Sequence, residues 1–212
     1  MKRYAVLAGT SDKPGFQQKS LYDIYNFLKS AVGGTWFDRE ILIIPEGFDI
    51  PMLKFILSQI VKDEIDFLFL YFCGNENDIR TVNGFFIEDT EVKHTYLEVI
   101  GKKQVTVFDA CTALIPDEDN DKKEKKDEDN RQVEVARLLS DKAFSAVNGG
   151  LFLSGCDVGE HPVLGLDGSG LYTAHLIKEL CQSEKMLDFA VADRNARFVC
   201  KVAETAAKVR KA

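Results

Sequence analysis

Two short apolar runs in this chain each stop at a residue with a side chain suited to chemistry. Gln104-Val-Thr-Val-Phe-Asp-Ala-Cys111 ends on a thiol, and Asp66-Phe-Leu-Phe-Leu-Tyr-Phe-Cys-Gly-Asn75 ends on a carboxamide. A cysteine attacks as its thiolate, and a neighbouring base that takes the thiol proton is the usual way to raise the thiolate population. Asparagine cannot take that proton at neutral pH. It can donate a hydrogen bond to a developing oxyanion, but it is not a base. The pair Cys111 and Asn75 therefore offers a nucleophile without an activating partner. The chain has only three histidines, His94, His161 and His175, from which another base would have to come.

The elements that must position these residues can be read from the apolar pattern. Tyr4-Ala-Val-Leu-Ala8, Glu40-Ile-Leu-Ile-Ile44, residues 66–72 and residues 104–108 read as buried strands, with a further strand near 149–154. Phe85-Phe-Ile87 reads as a short hairpin strand. Leu21, Ile24, Tyr25, Phe27 and Leu28 recur at helical spacing, and Gly33-Gly34 is expected to end that helix. Pro51 opens a second helix, and others are expected near 132–140, from Leu171 to Cys181, and from Leu187 onward. His94, after Thr90-Glu-Val-Lys, falls on an expected surface helix. Apolar strands alternating with amphipathic helices predict a largely parallel sheet covered on both faces. Sites in such sheets lie beyond the carboxyl ends of the strands, where Asn75 and Cys111 both fall.

Bulk properties narrow the function. A chain of 212 residues, 45% hydrophobic and 10% aromatic, can bury the core of one full domain. A net charge of −7 argues against nucleic acid or an anionic membrane as partner, and no stretch approaches the length of a membrane span. Five irregularly spaced cysteines do not form a disulfide framework, so a reducing, cytoplasmic setting is expected. Cys73, Cys156, Cys181 and Cys200 read as small buried residues. No cofactor is expected. Residues 117–129 hold eight acidic residues and four lysines and read as a solvated, mobile loop. Clustered carboxylates raise the question of calcium, but the interspersed lysines and the lack of an Asp-x-Asp-x-Asp-Gly pattern count against it. Gly9-Thr-Ser-Asp-Lys-Pro-Gly15 after the first strand invites a nucleotide-binding reading, yet it matches neither GxGxxG nor GxxxxGK[ST].

In their order along the chain, several of these segments resemble the caspase and metacaspase family of cysteine peptidases, especially its small bacterial branch. Asp23 in Leu21-Tyr-Asp-Ile resembles the family's Asn-Asp segment. Phe27 to Trp36, followed by Glu40-Ile41, resembles the turn into its second strand. Leu70-Tyr-Phe-Cys-Gly-Asn-Glu76 stands where the family has Ser-Gly-His-Gly, and Phe108-Asp-Ala-Cys111 resembles its nucleophile turn. Ser154-Gly-Cys-Asp-Val-Gly-Glu160 and Gly170-Leu-Tyr-Thr173 resemble landmarks of its small subunit. The resemblance spans about residues 4 to 180.

The resemblance implies an α/β fold, a caspase-like three-layer sandwich with a largely parallel central sheet flanked by helices. It implies one domain: a large-subunit-like part at 1–116, a charged linker at 117–131 and a small-subunit-like part at 132–212. It makes Cys111 the nucleophile position and Asn75 the substituted histidine position. Asp23 and Asp109 match the positions that bind a basic P1 side chain. Read from the residues alone, Asp109 is also a strand-end turn residue and Asp23 an acid favoured in a helix's first turn. His161 falls in a loop bordering the family's substrate groove and is the one candidate for a displaced base.

A degenerate caspase-like protein follows, a pseudoprotease binding a peptide or protein, either a basic segment or an active family member. The alternative is a working endopeptidase preferring Arg or Lys at P1, with Lys122, Lys123, Lys125 and Lys126 as self-cleavage sites. One family feature is missing: no sixth strand is evident after the helix from Leu171.

Overall fold

The computed structural model of the chain describes residues 1–9, 16–44, 49–74, 80–87, 90–97, 103–110, 114–116, 130–165, 169–182 and 187–211. Strands β1 (Arg3–Gly9) and β2 (Phe16–Gln18) lead into helix α1 (Lys19–Lys29), then β3 (Ile41–Ile44) and α2 (Ile50–Lys62). The chain continues through β4 (Phe67–Gly74), the hairpin strands β5 (Gly84–Ile87) and β6 (Thr90–Lys93), β7 (Lys103–Ala110) and β8 (Leu114–Pro116). Helix α3 (Asn130–Ala146), β9 (Gly149–Ser154), α4 (Leu171–Gln182) and α5 (Phe189–Lys211) complete it. The charged segment 117–129, Asn75, Cys111 and most of the Gly9–Gly15 segment lie outside the described residues.

The core is a five-stranded sheet in the order β3-β1-β4-β7-β9, with every pairing parallel. All eight residues of β4 are buried, which requires cover on both faces. Side chains alternate between those faces. Leu7, Phe69, Tyr71 and Val107 pack with α1, α4 and α5, while Val6, Leu70, Phe72 and Phe108 pack with α2 and the β5–β6 hairpin. This is the expected three-layer α/β sandwich. Among the described residues no strand follows α4.

Most elements fall where the apolar pattern puts them, with differences at the ends. Helix α1 stops at Lys29, earlier than Gly33-Gly34, because the Ser30 carbonyl accepts the N–H groups of both Gly34 and Thr35 and turns the chain. Helix α2 is capped by Asp49, whose side chain accepts the Met52 N–H at 2.6 Å. Helix α3 runs on to Ala146. His94 sits in a short 3₁₀ turn rather than on a surface helix: it follows β6, whose pairing with β5 (Phe85↔Val92) ends the extended segment there. The ribbon β2–β8 (Phe16↔Pro116) was not expected, since three-residue strands paired across most of the large-subunit-like part leave no periodic signal.

One buried charge cluster fastens α3, and with it the later third of the chain, to the beginning of the sheet. Arg3 is 1% exposed. Its guanidinium lies over the Trp36 ring at 4.5 Å and donates to the Gly34 carbonyl (2.5 Å), Ser140 Oγ (3.1 Å) and Asp141 Oδ1 (3.2 Å). Arg137, from α3, grips both carboxylate oxygens of Glu40 at 3.0 and 2.7 Å. Glu40 also lies 3.8 Å from Arg3 Nε. Burial, then the nearby Arg137, push the Arg3 pKa down to about 10, so the group stays charged at neutral pH. Trp36 packs edge-on against Phe67 and Phe144 beneath it.

Burial alone would raise the Glu40 carboxyl, but the Arg137 hydrogen bonds, the Phe37 N–H and the Arg3 charge outweigh it and hold Glu40 below its ordinary 4.5. A carboxyl with a depressed folded-state pKa stabilises the fold above the unfolded value and loses that contribution as pH falls through the folded one. Glu40→Gln should therefore lower the unfolding free energy near pH 7 by about 2 to 4 kcal/mol. Urea unfolding followed at pH 7 and at pH 3 to 4 checks this, and the difference between the two proteins should shrink at the acid end.

Candidate active site

The carboxyl ends of β4 and β7 meet in register. Cys73 pairs with Asp109 and Gly74 with Ala110, the last paired residues of the two strands. Asn75 and Cys111 are the next residues of the chain, outside the described residues. The site that can be built from described side chains is the one immediately before them.

Asp109 is fully buried, and three elements converge on it. Its Oδ2 accepts the backbone N–H of Thr173, in the first turn of α4, at 2.7 Å. The Thr173 hydroxyl hydrogen-bonds Tyr71 of β4 at 2.9 Å. Gly155, just after β9, presses against the same carboxylate: a Cβ there would lie 3.3 Å from Asp109 Oδ1 and only 2.5 Å from Tyr172 Cβ. Only glycine lets the backbone approach this closely.

Two neighbouring N–H groups at the start of α4 are also taken. Gly170 N–H donates to Ser20 Oγ of α1 at 2.9 Å, and Leu171 N–H to the Val163 carbonyl at 3.0 Å. A helix leaves its first N–H groups without intrahelical partners, and here β7, α1 and the loop before α4 supply them. The negative Asp109 also complements the positive end of the helix.

The two acidic candidates thus stand in different surroundings. Asp109 anchors α4 from inside the sheet. Asp23, on α1, is half-buried and ion-paired with Lys19 at 2.9 Å. The described contacts of the two side chains are with different residues. His161 is exposed and lines a narrow crevice with Gly155, Cys156, Arg197 and Cys200, so it borders the glycine that touches Asp109. His94 lies in the other layer, edge-on to Phe152 at 4.6 Å, and burial, then Arg80, lower its pKa. His175 is half-buried on α4.

The described cysteines divide cleanly. Cys73 is fully buried in the layer of α1 and α4, as its small apolar character predicts. Burial pushes the Cys156 thiol up to about 11 and the Cys200 thiol up to about 12. Both therefore remain thiols at neutral pH and are poor nucleophiles. Cys181 was expected in the core but is exposed, because it occupies the outward face of the last turn of α4.

Several contributing residues were not singled out from the sequence. Tyr172 donates to Asp193 of α5 at 2.5 Å, and burial raises both groups. Asp157 pairs with Arg197 and, at 2.8 Å, with Lys201, which fastens the loop after β9 to α5. These pairs join segments with no local pattern between them. Tyr172 and Asp157, like Thr173 and Gly155, belong to the two small-subunit-like motifs, whereas their α5 partners Asp193, Arg197 and Lys201 carry no such signal. No group of metal-ligating side chains occurs among the described residues, and no described helix is long and apolar enough to cross a membrane. Neither a protein-family model nor a curated protein matches the chain.

Two measurements follow from this geometry. Gly155→Ala should cost about 1 to 3 kcal/mol, because the new methyl meets the Tyr172 side chain and the Asp109 carboxylate. Chemical denaturation reads that loss directly. In the folded chain at pH 7.5, iodoacetamide should modify Cys181 far faster than Cys156 or Cys200, and denaturant should remove the difference. Peptide mapping by mass spectrometry distinguishes the three sites.

Proposed function

We propose that the chain is a degenerate caspase-like protein that binds a peptide or protein segment beside Cys111 rather than cleaving it. The observation that supports this reading most is the alignment of the two strand ends. β4 and β7 stay paired up to Gly74 and Ala110, so the residues that follow each are the asparagine and the cysteine. A carboxamide in that position can hold a peptide carbonyl by hydrogen bonding but cannot accept a thiol proton. His94 belongs to the opposite layer and does not offer a replacement base.

The bound segment in this reading is basic, drawn by Asp23 and Asp109. Asp109, buried against α4, contributes its negative charge and fixes the backbone just before Cys111. Asp23 is the accessible acid, and an incoming arginine or lysine would displace Lys19 from it. No resident cofactor or metal is part of the proposal, and the setting proposed is a reducing, cytoplasmic one.

A second reading has one observation in its favour. His161 borders Gly155, where an added Cβ would lie 3.3 Å from Asp109 Oδ1. An endopeptidase using His161 as a displaced base would form a thioester at Cys111 and hydrolyse it, with P1 arginine or lysine read by the same two acids.

An electrophilic thiol probe carrying an arginine recognition group separates the two. With the proposed binding protein, Cys111 labels no faster than free cysteine at the same pH. Asn75→His then raises the rate by about 10² or more by supplying a base. Fast labelling of the unaltered chain that disappears in His161→Ala would sink the proposal and establish the peptidase.

A further inference from the structure

The strand β9 forms one edge of the sheet. Its inner side pairs with β7 from Lys103↔Gly149 to Phe108↔Ser154, and among the described residues nothing pairs with its outer side. Gly149 and Gly150 are exposed, Leu151 and Phe152 half-buried, and cover begins only at Leu153. An open edge presents unpaired N–H and C=O groups to any extended chain that reaches it, and proteins usually blunt such edges with charge, proline or a bulge. Gly149-Gly-Leu-Phe-Leu-Ser154 carries no charged residue and no proline. Its first two residues have no side chain to hold another backbone away, and a Cβ at Gly149 would meet nothing within 4 Å.

Grooves flank this edge on both faces, and both are walled by Gly150 and Leu151. On the face of the β5–β6 hairpin a groove of about 330 Å³ is lined further by Arg80, His94 and Phe152. On the opposite face a groove of about 530 Å³ runs between the end of α3 and the start of α5, with Ala143, Val147 and Leu187 in its walls. Side chains of an added strand point alternately to the two faces, so they would enter the two grooves in turn.

The grooves differ in chemistry. The Arg80 guanidinium lies over the Phe152 ring at 5.1 Å and donates to the Cys156 carbonyl at 2.9 Å. Its Nε is buried with no hydrogen-bond partner, and among the described residues Arg80 makes no salt bridge. Its charge acts at longer range on Asp157 and Asp193, but among the described residues no carboxylate contacts it directly, which leaves it able to pair with an acid brought into the groove. Burial and the nearby Arg80 keep His94 neutral at pH 7, which leaves Arg80 as the charge.

We propose that the β9 edge is a second docking site, which takes an extended segment of another protein as an added strand. The segment places an acidic side chain beside Arg80 and apolar side chains in the groove between α3 and α5. Main-chain hydrogen bonds supply affinity and the grooves supply selectivity. A second copy of this chain fits less well, because β9 has no acidic side chain to offer a partner's Arg80. The site is separate from Cys111 and does not depend on how that cysteine is read.

The test uses the full chain and two libraries of fluorescent octapeptides. Both alternate apolar and uncharged polar positions, one with a fixed central Glu and the other with a fixed central Gln, so that neither carries the basic side chain proposed for the Cys111 groove. Fluorescence anisotropy should show the Glu library binding about fivefold to tenfold tighter. Arg80→Gln should abolish that preference, and Cys111→Ala should leave it intact. N-methylating alternate residues of the best Glu peptide should abolish binding to the unaltered chain, a result that needs no variant to fold. Equal binding of the two libraries, binding indifferent to N-methylation, or sedimentation as a dimer that excludes the peptide would each overturn the proposal.

Discussion

Asp109 is a carboxylate buried at the end of a central strand. Stripped of water, such a group costs several kcal/mol unless donors and dipoles replace its hydration. Here the replacement comes from the first turn of α4, which brings the Thr173 N–H and the positive end of the helix dipole to the strand end. Much of the architecture around the site meets that requirement. Tyr71 holds Thr173, Ser20 holds Gly170, and Gly155 gives up its side chain so that the loop after β9 can close over the carboxylate. The same contacts fix β7 at Asp109, near its carboxyl end.

A second buried charge system works at the opposite end of the sheet and has a different consequence. Arg3, Glu40, Arg137 and Asp141 come from β1, the turn before β3, and α3. They join the segments on either side of residues 117–129. With Trp36 and Phe144 packed against Arg3, this cluster attaches the two parts without relying on the segment that connects them in sequence.

The thiols of Cys156 and Cys200 are kept unreactive for a physical reason. Cys156 and Cys200 are buried among apolar groups and near the negative Asp109, both of which favour the protonated thiol. The β9 edge, on the far side of β7 from β4, has no pairing partner among the described residues, and Arg80 stands beside it.

The run of apolar residues at 67–72 was enough to indicate a strand covered on both faces, and the run at 104–108, apolar at Val105, Val107 and Phe108, indicated its neighbour. Helical spacing in 21–28 and 171–181 located α1 and α4, and the order of short motifs drew attention to Asp23 and Asp109 as pocket acids and to segments 154–160 and 170–173 as landmarks. Local pattern could go no further. It left Asp109 equally a turn residue or a pocket acid, placed Cys181 in the core and His94 on a helix, and gave no sign of the β2–β8 ribbon. Each of those depends on partners distant in sequence: Thr173 for Asp109, Phe152 for His94, residues 114–116 for residues 16–18. Periodicity reports which face of an element is apolar, whereas the fate of a polar side chain depends on what tertiary packing brings within hydrogen-bond reach. That is why the strands and helices were legible in the chain itself, while the burial of Asp109 at the start of α4 and the open edge beside Arg80 were decided only by the fold.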